Sequence, residues 1–221
     1  MSQSYYAPME SSPAPSRALE IVDRLRGTYP EATTSLHHTS AFELLVATVL
    51  SAQTTDARVN TVTPTLFSRW PTPASLAGAS PADVESVVRP LGFQHRRARQ
   101  VVDLARALVT DFHAEVPASS ADLESLPGVG RKTANVVRGN WFGVPALTVD
   151  THVGRLSRRL GWTTAADPAG VERDVCALLP GVDWTQLSHD LIWHGRAVCT
   201  ARSPRCGACV LVDLCPRVGV V

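Results

Sequence analysis

The sequence predicts an all-α protein. Apolar side chains recur at spacings of three and four residues along most of the 221-residue chain, which is the period of one face of an α-helix. No long stretch alternates apolar and polar residues, as a half-buried β-strand requires. Apolar residues make up 44% of the chain, which is enough to form the core of one domain or of two small ones.

The predicted helices follow one another with short connections. In the first half of the chain they cover residues 16–27, 41–53, 56–69, short helices within 71–90, and 94–112. The first has Leu19 and Leu25 on its apolar side, and the second has so little polar surface that we expect it to be buried. Asp56 is a candidate N-cap for the third.

The second half continues this pattern and ends in a loop that is rich in cysteine. Its predicted helices cover residues 120–125, 131–141, 150–160, 168–179 and 184–198, followed by the loop 199–215. Residues 1–15 contain Ser and Pro without an apolar core, so we expect a flexible tail and no signal peptide. No window of about 18 apolar residues indicates a membrane span, and we expect a cytoplasmic, reducing compartment. The net charge is −3 over residues 1–126 and +4 over residues 127–221, which places the positive charge in the half that contains the motifs.

Lysine occurs once among the 21 basic side chains, at Lys132. Arginine can form ion pairs and contact phosphate, but its guanidinium stays charged and cannot act as a nucleophilic amine. A chain that otherwise uses arginine has a reason to keep lysine where a neutral amine is needed, although a single lysine can also arise by drift. Lys132 is therefore a candidate nucleophile.

The lysine follows a glycine-containing turn in the stretch LPGVGRKTA, residues 126–134. Two glycines here allow positive φ angles and close approach of the backbone. The next helix begins with unpaired amides and with the positive end of its dipole, which together bind phosphate. An ordinary αα-hairpin turn is the alternative interpretation. The candidate DNA-binding residues are Gly128, Val129, Gly130, Arg131 and Thr133.

Asp150 begins a predicted helix 18 residues after Lys132. An Asp in this position is most often an N-cap. One helix and a short loop separate the two residues, a layout that lets a returning helix place the carboxylate near the lysine. Capping does not exclude catalysis, so Asp150 is a candidate for both.

Four of the five cysteines follow the spacing Cys-x6-Cys-x2-Cys-x5-Cys, at Cys199, Cys206, Cys209 and Cys215. Four thiolates this close together indicate a metal centre more than a disulfide in a reducing compartment. Zinc is the common occupant of four-cysteine sites, but such sites usually have two Cys-x2-Cys pairs and this chain has one. Cys176 lies in an apolar helical stretch and is predicted to be a core residue.

Three of these segments together resemble the endonuclease III family of helix-hairpin-helix DNA glycosylases. LPGVGRKTA, Val-Asp-Thr-His over residues 149–152 and the cysteine spacing occur in the family's order, and the resemblance covers about residues 16–217. It implies that Lys132 is the nucleophile and Asp150 the catalytic carboxylate. It also implies a [4Fe–4S] cluster on the four cysteines.

The resemblance further implies two helical domains with the active-site cleft between them. The first is a six-helix barrel with the helix-hairpin-helix, residues 34–144, and the second is the iron–sulfur domain, residues 16–33 with 145–221. The implied activity is that of a glycosylase and AP lyase that removes oxidised pyrimidines and cuts 3′ to the abasic site by β-elimination. The expected partner of this monomer is double-stranded DNA with damaged bases or abasic sites, in the nucleoid if the source is bacterial.

Two further DNA contacts are implied by the resemblance. Gln53 stands in the family segment that enters the duplex near the extruded base, and Phe93 stands where an apolar tip wedges between bases. Family members often have Leu at that tip, so a larger wedge is expected here. From the residues alone, Gln53 is a polar helix end and Phe93 a buried residue before a helix.

Two alternative functions remain open at this point. An adenine glycosylase or a mismatch-specific thymine glycosylase of the same fold would normally lack the lysine, and the former has an additional C-terminal domain. A DNA-structure-binding iron–sulfur protein without catalysis would not need Lys132 and Asp150 together.

Overall fold

The computed structural model describes residues 15–220, so all but the last residue of the expected tail, residues 1–15, lies outside the described residues. Residues 15–220 are helical and contain no β-strand. No helix among them combines the length and the apolar character needed to cross a membrane. The described α-helices are α1 (Pro15–Thr28), α2 (Ala41–Leu50), α3 (Asp56–Arg69), α4 (Pro73–Ala77), α5 (Pro81–Val88), α6 (Gln94–Asp111), α7 (Ser120–Ser125), α8 (Arg131–Asn140), α9 (Thr151–Arg159), α10 (Pro168–Leu178) and α11 (Trp184–Ala197).

The chain divides into two compact units, each with its own core. The middle unit comprises residues 34–146, and the terminal unit combines the residues up to 33 with those from 147 onward. The sequence predicts the boundaries between residues 33 and 34 and between residues 144 and 145. The middle unit contains α2 to α8, and the terminal unit contains α1 and α9 to α11.

The middle unit is organised around α2, whose side chains are buried on nearly every side. Residues 44–50 are all buried, because this segment has almost no polar surface to expose. Ser40 starts the helix by accepting a hydrogen bond from the Glu43 amide at 3.1 Å. Helices α3, α6 and α8 pack around α2, and α4 and α5 pack on α6. This packing holds the end of α2 beside the start of α6.

The terminal unit is built on the packing of α11 against α9 and α1. Gly195 in α11 permits the approach to α9, because a Cβ atom there would lie 2.8 Å from Nδ1 of His152. Residues 199–220 then fold back on the unit with one short 3-10 helix, Cys206–Ala208. Arg24 of α1 fixes this segment by hydrogen bonds to Asp213 at 2.6 Å and to the Val210 carbonyl at 3.1 Å.

Three local expectations from the sequence are wrong. Helix α2 ends at Leu50 instead of reaching residue 53, because Gln53 has a positive φ of 59° that ends helical geometry. Thr55, not Asp56, is the N-cap of α3, and its side chain accepts from the Arg58 amide. Leu19 is 46% exposed, since the buried side of α1 is formed by Ala18, Ile21 and Leu25.

The side chain of Asp190 in α11 is fully buried, so its protonation should make the stability of the protein depend on pH. Gln186 Nε2 donates to Oδ1 at 3.0 Å and Arg26 Nε lies 3.4 Å from Oδ2. Burial nevertheless raises the pKa of Asp190 above that of a free aspartate. Wild type therefore loses stability as the pH rises from the unfolded-state pKa to the raised folded-state pKa, because the fold favours the protonated acid. Asn cannot ionise, so it lacks this loss.

We expect the unfolding free energy of Asp190→Asn, relative to wild type, to increase as the pH rises above about 4, the ordinary pKa of an aspartate, by at most about 1.4 kcal/mol per pH unit. Urea unfolding at a series of pH values measures this difference. Asp213→Asn is the control of opposite sign, because its hydrogen bond from Arg24 lowers the pKa of Asp213. A difference for Asp190→Asn that is independent of pH would contradict the prediction.

Candidate functional site

The loop between α7 and α8 passes close to α6. Gly128 has a φ of 77°, which favours glycine. A Cβ atom there would also overlap the present position of the Gln100 side chain, which would have to move. Gln100 Nε2 donates a 3.4 Å hydrogen bond to the Gly128 carbonyl. Val129 is buried, and its amide donates to the Leu126 carbonyl at 3.1 Å. The loop is therefore anchored to the core of the middle unit.

Helix α8 begins directly after this loop with Lys132 in its first turn. Gly130 is the N-cap and has an extended conformation, φ −104° and ψ 175°, so Gly128 is the hairpin glycine that uses a positive φ. Glycine has no side chain, so the N-cap residue offers no side-chain acceptor to the first-turn amides. Arg131 and Lys132 are exposed and Thr133 is half-buried. This is the geometry of an anion-binding helix N-terminus.

Asp150 is the N-cap of α9. Its Oδ1 accepts a hydrogen bond from the Val153 amide at 2.8 Å, and the residue is half-buried. A cap of this kind uses one of the two carboxylate oxygens, so the other can act elsewhere. Lys132 lies in the middle unit and Asp150 in the terminal unit, and their approach to each other remains a prediction from the sequence.

His152 stands on the first turn of α9 beside Asp150. Burial lowers the pKa of His152, against the opposing effect of the Asp150 charge, so the imidazole is neutral at pH 7. Nη2 of Arg155 lies 3.1 Å from Nδ1 of His152 and donates a hydrogen bond to the Cys199 carbonyl at 2.9 Å. These contacts connect the start of α9 with the first cysteine of the loop.

Gln53 and Phe93 both lie in exposed turns that border one pocket of the middle unit. The pocket is lined by these two residues and by Ala52, Arg96, Arg97 and Gln100. Gln53 has a φ of 59° and Phe93 a φ of 50°, a conformation that costs an L-residue about 1–2 kcal/mol. Phe93 is 67% exposed, so the alternative of a buried Phe before a helix is wrong.

Arg97 lines the same pocket as Gln53 and Phe93, and the sequence alone did not identify it as part of the site. It stands in the sequence among basic side chains at the start of α6, but it is 5% exposed. Burial, with a smaller effect of the Arg96 charge, lowers the pKa of Arg97, although a guanidinium remains charged in proteins. A signal existed, because Arg97 precedes the buried Val101 and Leu104 at helical spacing.

The four predicted metal ligands line one cavity of the terminal unit. Cys199, Cys206, Cys209 and Cys215 are all free thiols, and apolar side chains such as Leu156, Leu160 and Leu211 complete the lining. Cys176 forms no disulfide either and packs against the core of the unit, as expected. Within residues 15–220, no three His, Cys, Asp or Glu side chains are arranged to hold a single metal ion.

Hydrogen-bond donors surround the sulfur atoms of this cavity. Arg159 Nη1 donates to Cys199 Sγ at 3.2 Å, and the Leu211 amide donates to Cys209 Sγ at 3.4 Å. Burial raises the pKa values of the Cys209 and Cys215 thiols, so thiolates there need a positive partner. Four thiols with amide and guanidinium donors around one apolar cavity fit an iron–sulfur cluster.

Two protein families match parts of the chain. The HhH-GPD superfamily of base excision DNA repair proteins matches residues 46–180. The iron–sulfur binding domain of endonuclease III matches residues 199–215. The first match spans more than half of the chain and includes the hairpin, Lys132 and Asp150, and the second includes the four cysteines.

Whole-chain comparisons agree with the family matches. The chain is 50% identical over 201 residues to endonuclease III of Synechocystis sp. (strain ATCC 27184 / PCC 6803 / Kazusa), covering 90% of this chain and 92% of the relative. It is 41% identical over 199 residues to endonuclease III of Escherichia coli (strain K12), with 90% and 94% covered.

Solved structures show the same relationship. A trapped endonuclease III–DNA covalent intermediate, the estranged-adenine complex, is 40% identical with a TM-score of 0.86, covering 92% of this chain and 96% of that chain. A thermostable thymine-DNA glycosylase shares the fold with a TM-score of 0.83 at 20% identity, covering 91% and 96%. The all-α prediction is confirmed, and so is the [4Fe–4S] cofactor.

The fifth cysteine provides a control for the cluster ligands. We expect Cys215→Ala to lose most of the iron and acid-labile sulfide of the purified protein and its visible absorption, because a four-thiolate site loses a ligand. Cys176→Ala removes an equal side chain from the core and should retain the iron. Elemental analysis and absorbance of the two variants decide the assignment. Full iron content in Cys215→Ala, or equal loss in both, would contradict it.

Proposed function

The chain belongs to the endonuclease III family and is a base-excision-repair DNA glycosylase with a [4Fe–4S] cluster, and from this premise we propose that Lys132 is its nucleophile. The observation that supports the proposal most directly is the position of the single lysine, exposed in the first turn of α8 directly after the hairpin. Its relationship to DNA-bound endonuclease III means that this enzyme also binds DNA.

The proposed substrate is duplex DNA that contains an oxidised or ring-fragmented pyrimidine. The enzyme can reach the sugar only after the base has left the stack, and damage that weakens pairing lowers the cost of this step. The hairpin residues Gly128 to Arg131 and Thr133 bind the phosphates beside the lesion through amides and the helix dipole. Gln53 and Phe93 enter the duplex and fill the space that the extruded base leaves.

The first chemical step is attack by the neutral Lys132 amine on C1′ of the sugar. A C–N bond forms as the bond from C1′ to the base breaks, and the base leaves with the electron pair and takes up a proton. Asp150 stabilises the positive charge that develops on the sugar and accepts a proton from the attacking amine. Both roles need an ionised carboxylate.

The second step cuts the strand. Opening of the sugar ring converts the covalent adduct into a Schiff base between Nζ and C1′. The positive imine acidifies C2′, a base removes a C2′ proton, and the C3′–O bond breaks with departure of the 3′ phosphate. This β-elimination leaves a nick 3′ to the lesion, and water then releases the lysine.

The cluster has a structural role in this proposal. Four iron–thiolate bonds would hold the loop 199–215 in place through Cys199, Cys206, Cys209 and Cys215. We further propose that the enzyme works as a monomer on DNA in the cytoplasm, because one hairpin, one lysine and one carboxylate complete the site.

The single lysine makes a covalent test unusually specific. We expect borohydride to trap wild type on a duplex with one thymine glycol, and Lys132→Gln to give no adduct, since the N-terminus is then the sole primary amine of the chain. Arg173→Gln removes the same charge from α10 and should trap like wild type. Denaturing gel electrophoresis of labelled DNA measures the adduct. An adduct that persists in Lys132→Gln would assign the chemistry to the N-terminus.

A second test separates capping from catalysis at Asp150. Asn caps helices as well as Asp does, so Asp150→Asn should unfold at nearly the same temperature as wild type. We expect its single-turnover rate of base release to fall about 10²–10⁴-fold, the usual contribution of a positioned acid or base.

The control for Asp150 is a second N-cap with the same bond. Asp167 caps α10 and accepts from the Gly170 amide at 2.8 Å, so Asp167→Asn tests the same change away from the site. Its rate should equal that of wild type. A normal rate in Asp150→Asn would reduce Asp150 to a cap.

A further inference from the structure

A single buried guanidinium connects the turns that contain Gln53 and Phe93. Arg97 Nη2 donates to the Ala52 carbonyl at 2.7 Å, and Arg97 Nε donates to the Gly92 carbonyl at 2.9 Å. Each carbonyl belongs to the peptide group that directly precedes one of the two exposed residues. Arg97 Nη1 donates at 2.5 Å to the carbonyl of Leu50, the last residue of α2. One cation thus donates hydrogen bonds to both turns and to the C-terminal end of α2.

Both turns need such a restraint. Gln53 and Phe93 have positive φ angles of 59° and 50°, which L-residues adopt only when the surrounding structure enforces them. A hydrogen bond to the preceding carbonyl fixes the orientation of that peptide group and so the direction of the side chain that follows. The guanidinium is planar and its donors have fixed directions, and burial of Arg97 limits competition from water.

We propose that Arg97 is a positioning residue for base release, which holds Gln53 and Phe93 at a fixed spacing so that they enter the duplex as a pair. The inference rests on the proposed DNA contacts of these two residues. Arg97 is buried, so it acts through the turns, whereas its exposed neighbours Arg96 and Arg99 are available to phosphate. The role differs from that of a core residue, because its effect on the rate requires the two side chains that it positions.

A double-mutant cycle tests this dependence. Arg97→Met removes every donor and keeps an apolar stem, and Arg97→Lys returns a cation with donors of less fixed direction. Each is made in the wild-type background and in a Gln53→Ala, Phe93→Ala background. The readout is the single-turnover rate of base release from a thymine glycol duplex, at a temperature where circular dichroism shows every variant to be folded.

We expect Arg97→Met to lower the rate about 10- to 100-fold in the wild-type background, the scale of a small misplacement of reacting groups. In the background without the two side chains it should lower the rate less than about twofold, because residues that act together are not additive. Arg97→Lys should restore part of the rate in the wild-type background alone.

Leu104→Ala is the control for a merely structural effect. Leu104 is fully buried in the same helix, and its loss should reduce thermal stability while changing the rate by the same small factor in both backgrounds. Equal rate losses for Arg97→Met in the two backgrounds, or no loss in either, would overturn the proposal.

The result also separates this inference from the proposed chemistry. If Gln53→Ala, Phe93→Ala retains the wild-type rate, the DNA contacts and the role of Arg97 are both wrong. Borohydride trapping through Lys132 would still report on the nucleophile in that case.

Discussion

Helix ends constrain where an all-helical fold can place its chemistry. Within an α-helix every backbone amide and carbonyl is paired, whereas the first amides and the last carbonyls are not. The proposed site uses these ends repeatedly. Lys132 lies in the first turn of α8 and Asp150 caps α9. Gln53 follows the end of α2, and Phe93 precedes α6. Each position combines backbone polarity with a side chain that is exposed or, for Asp150, half-buried.

The arginines of the chain supply partners for carbonyls that helices leave unpaired. Arg97 bonds carbonyls at the end of α2, and Arg159 bonds the carbonyls of Thr200 and Ala201 beyond the end of α11, both at 2.8 Å. A planar guanidinium can reach several carbonyls at once with fixed geometry. This use gives Arg97 and Arg159 a structural role, whereas Lys132 is the residue proposed to supply a neutral amine.

The cysteine loop has a different source of order. Among residues 199–220, Leu211 is the buried apolar side chain, so hydrophobic burial contributes little there. The loop is held by Arg24 from α1 and by Arg155 and Arg159 from α9, and the cluster would add four bonds to its cysteines. Removal of the cluster would leave a segment whose remaining contacts are polar and partly exposed, which is consistent with a structural role for the iron–sulfur centre.

The sequence by itself determined the helices, the hairpin glycines and the four cysteines, because periodicity, turn residues and ligand spacing are local signals. The family resemblance added the cluster type and the candidate roles of Lys132 and Asp150. The spacing of Arg97 with Val101 and Leu104 places it on the apolar side of α6. Only the tertiary structure decided that Phe93 is exposed and that the carbonyl partners of Arg97 lie 45 and 47 residues away, because these outcomes depend on how α2 packs beside α6.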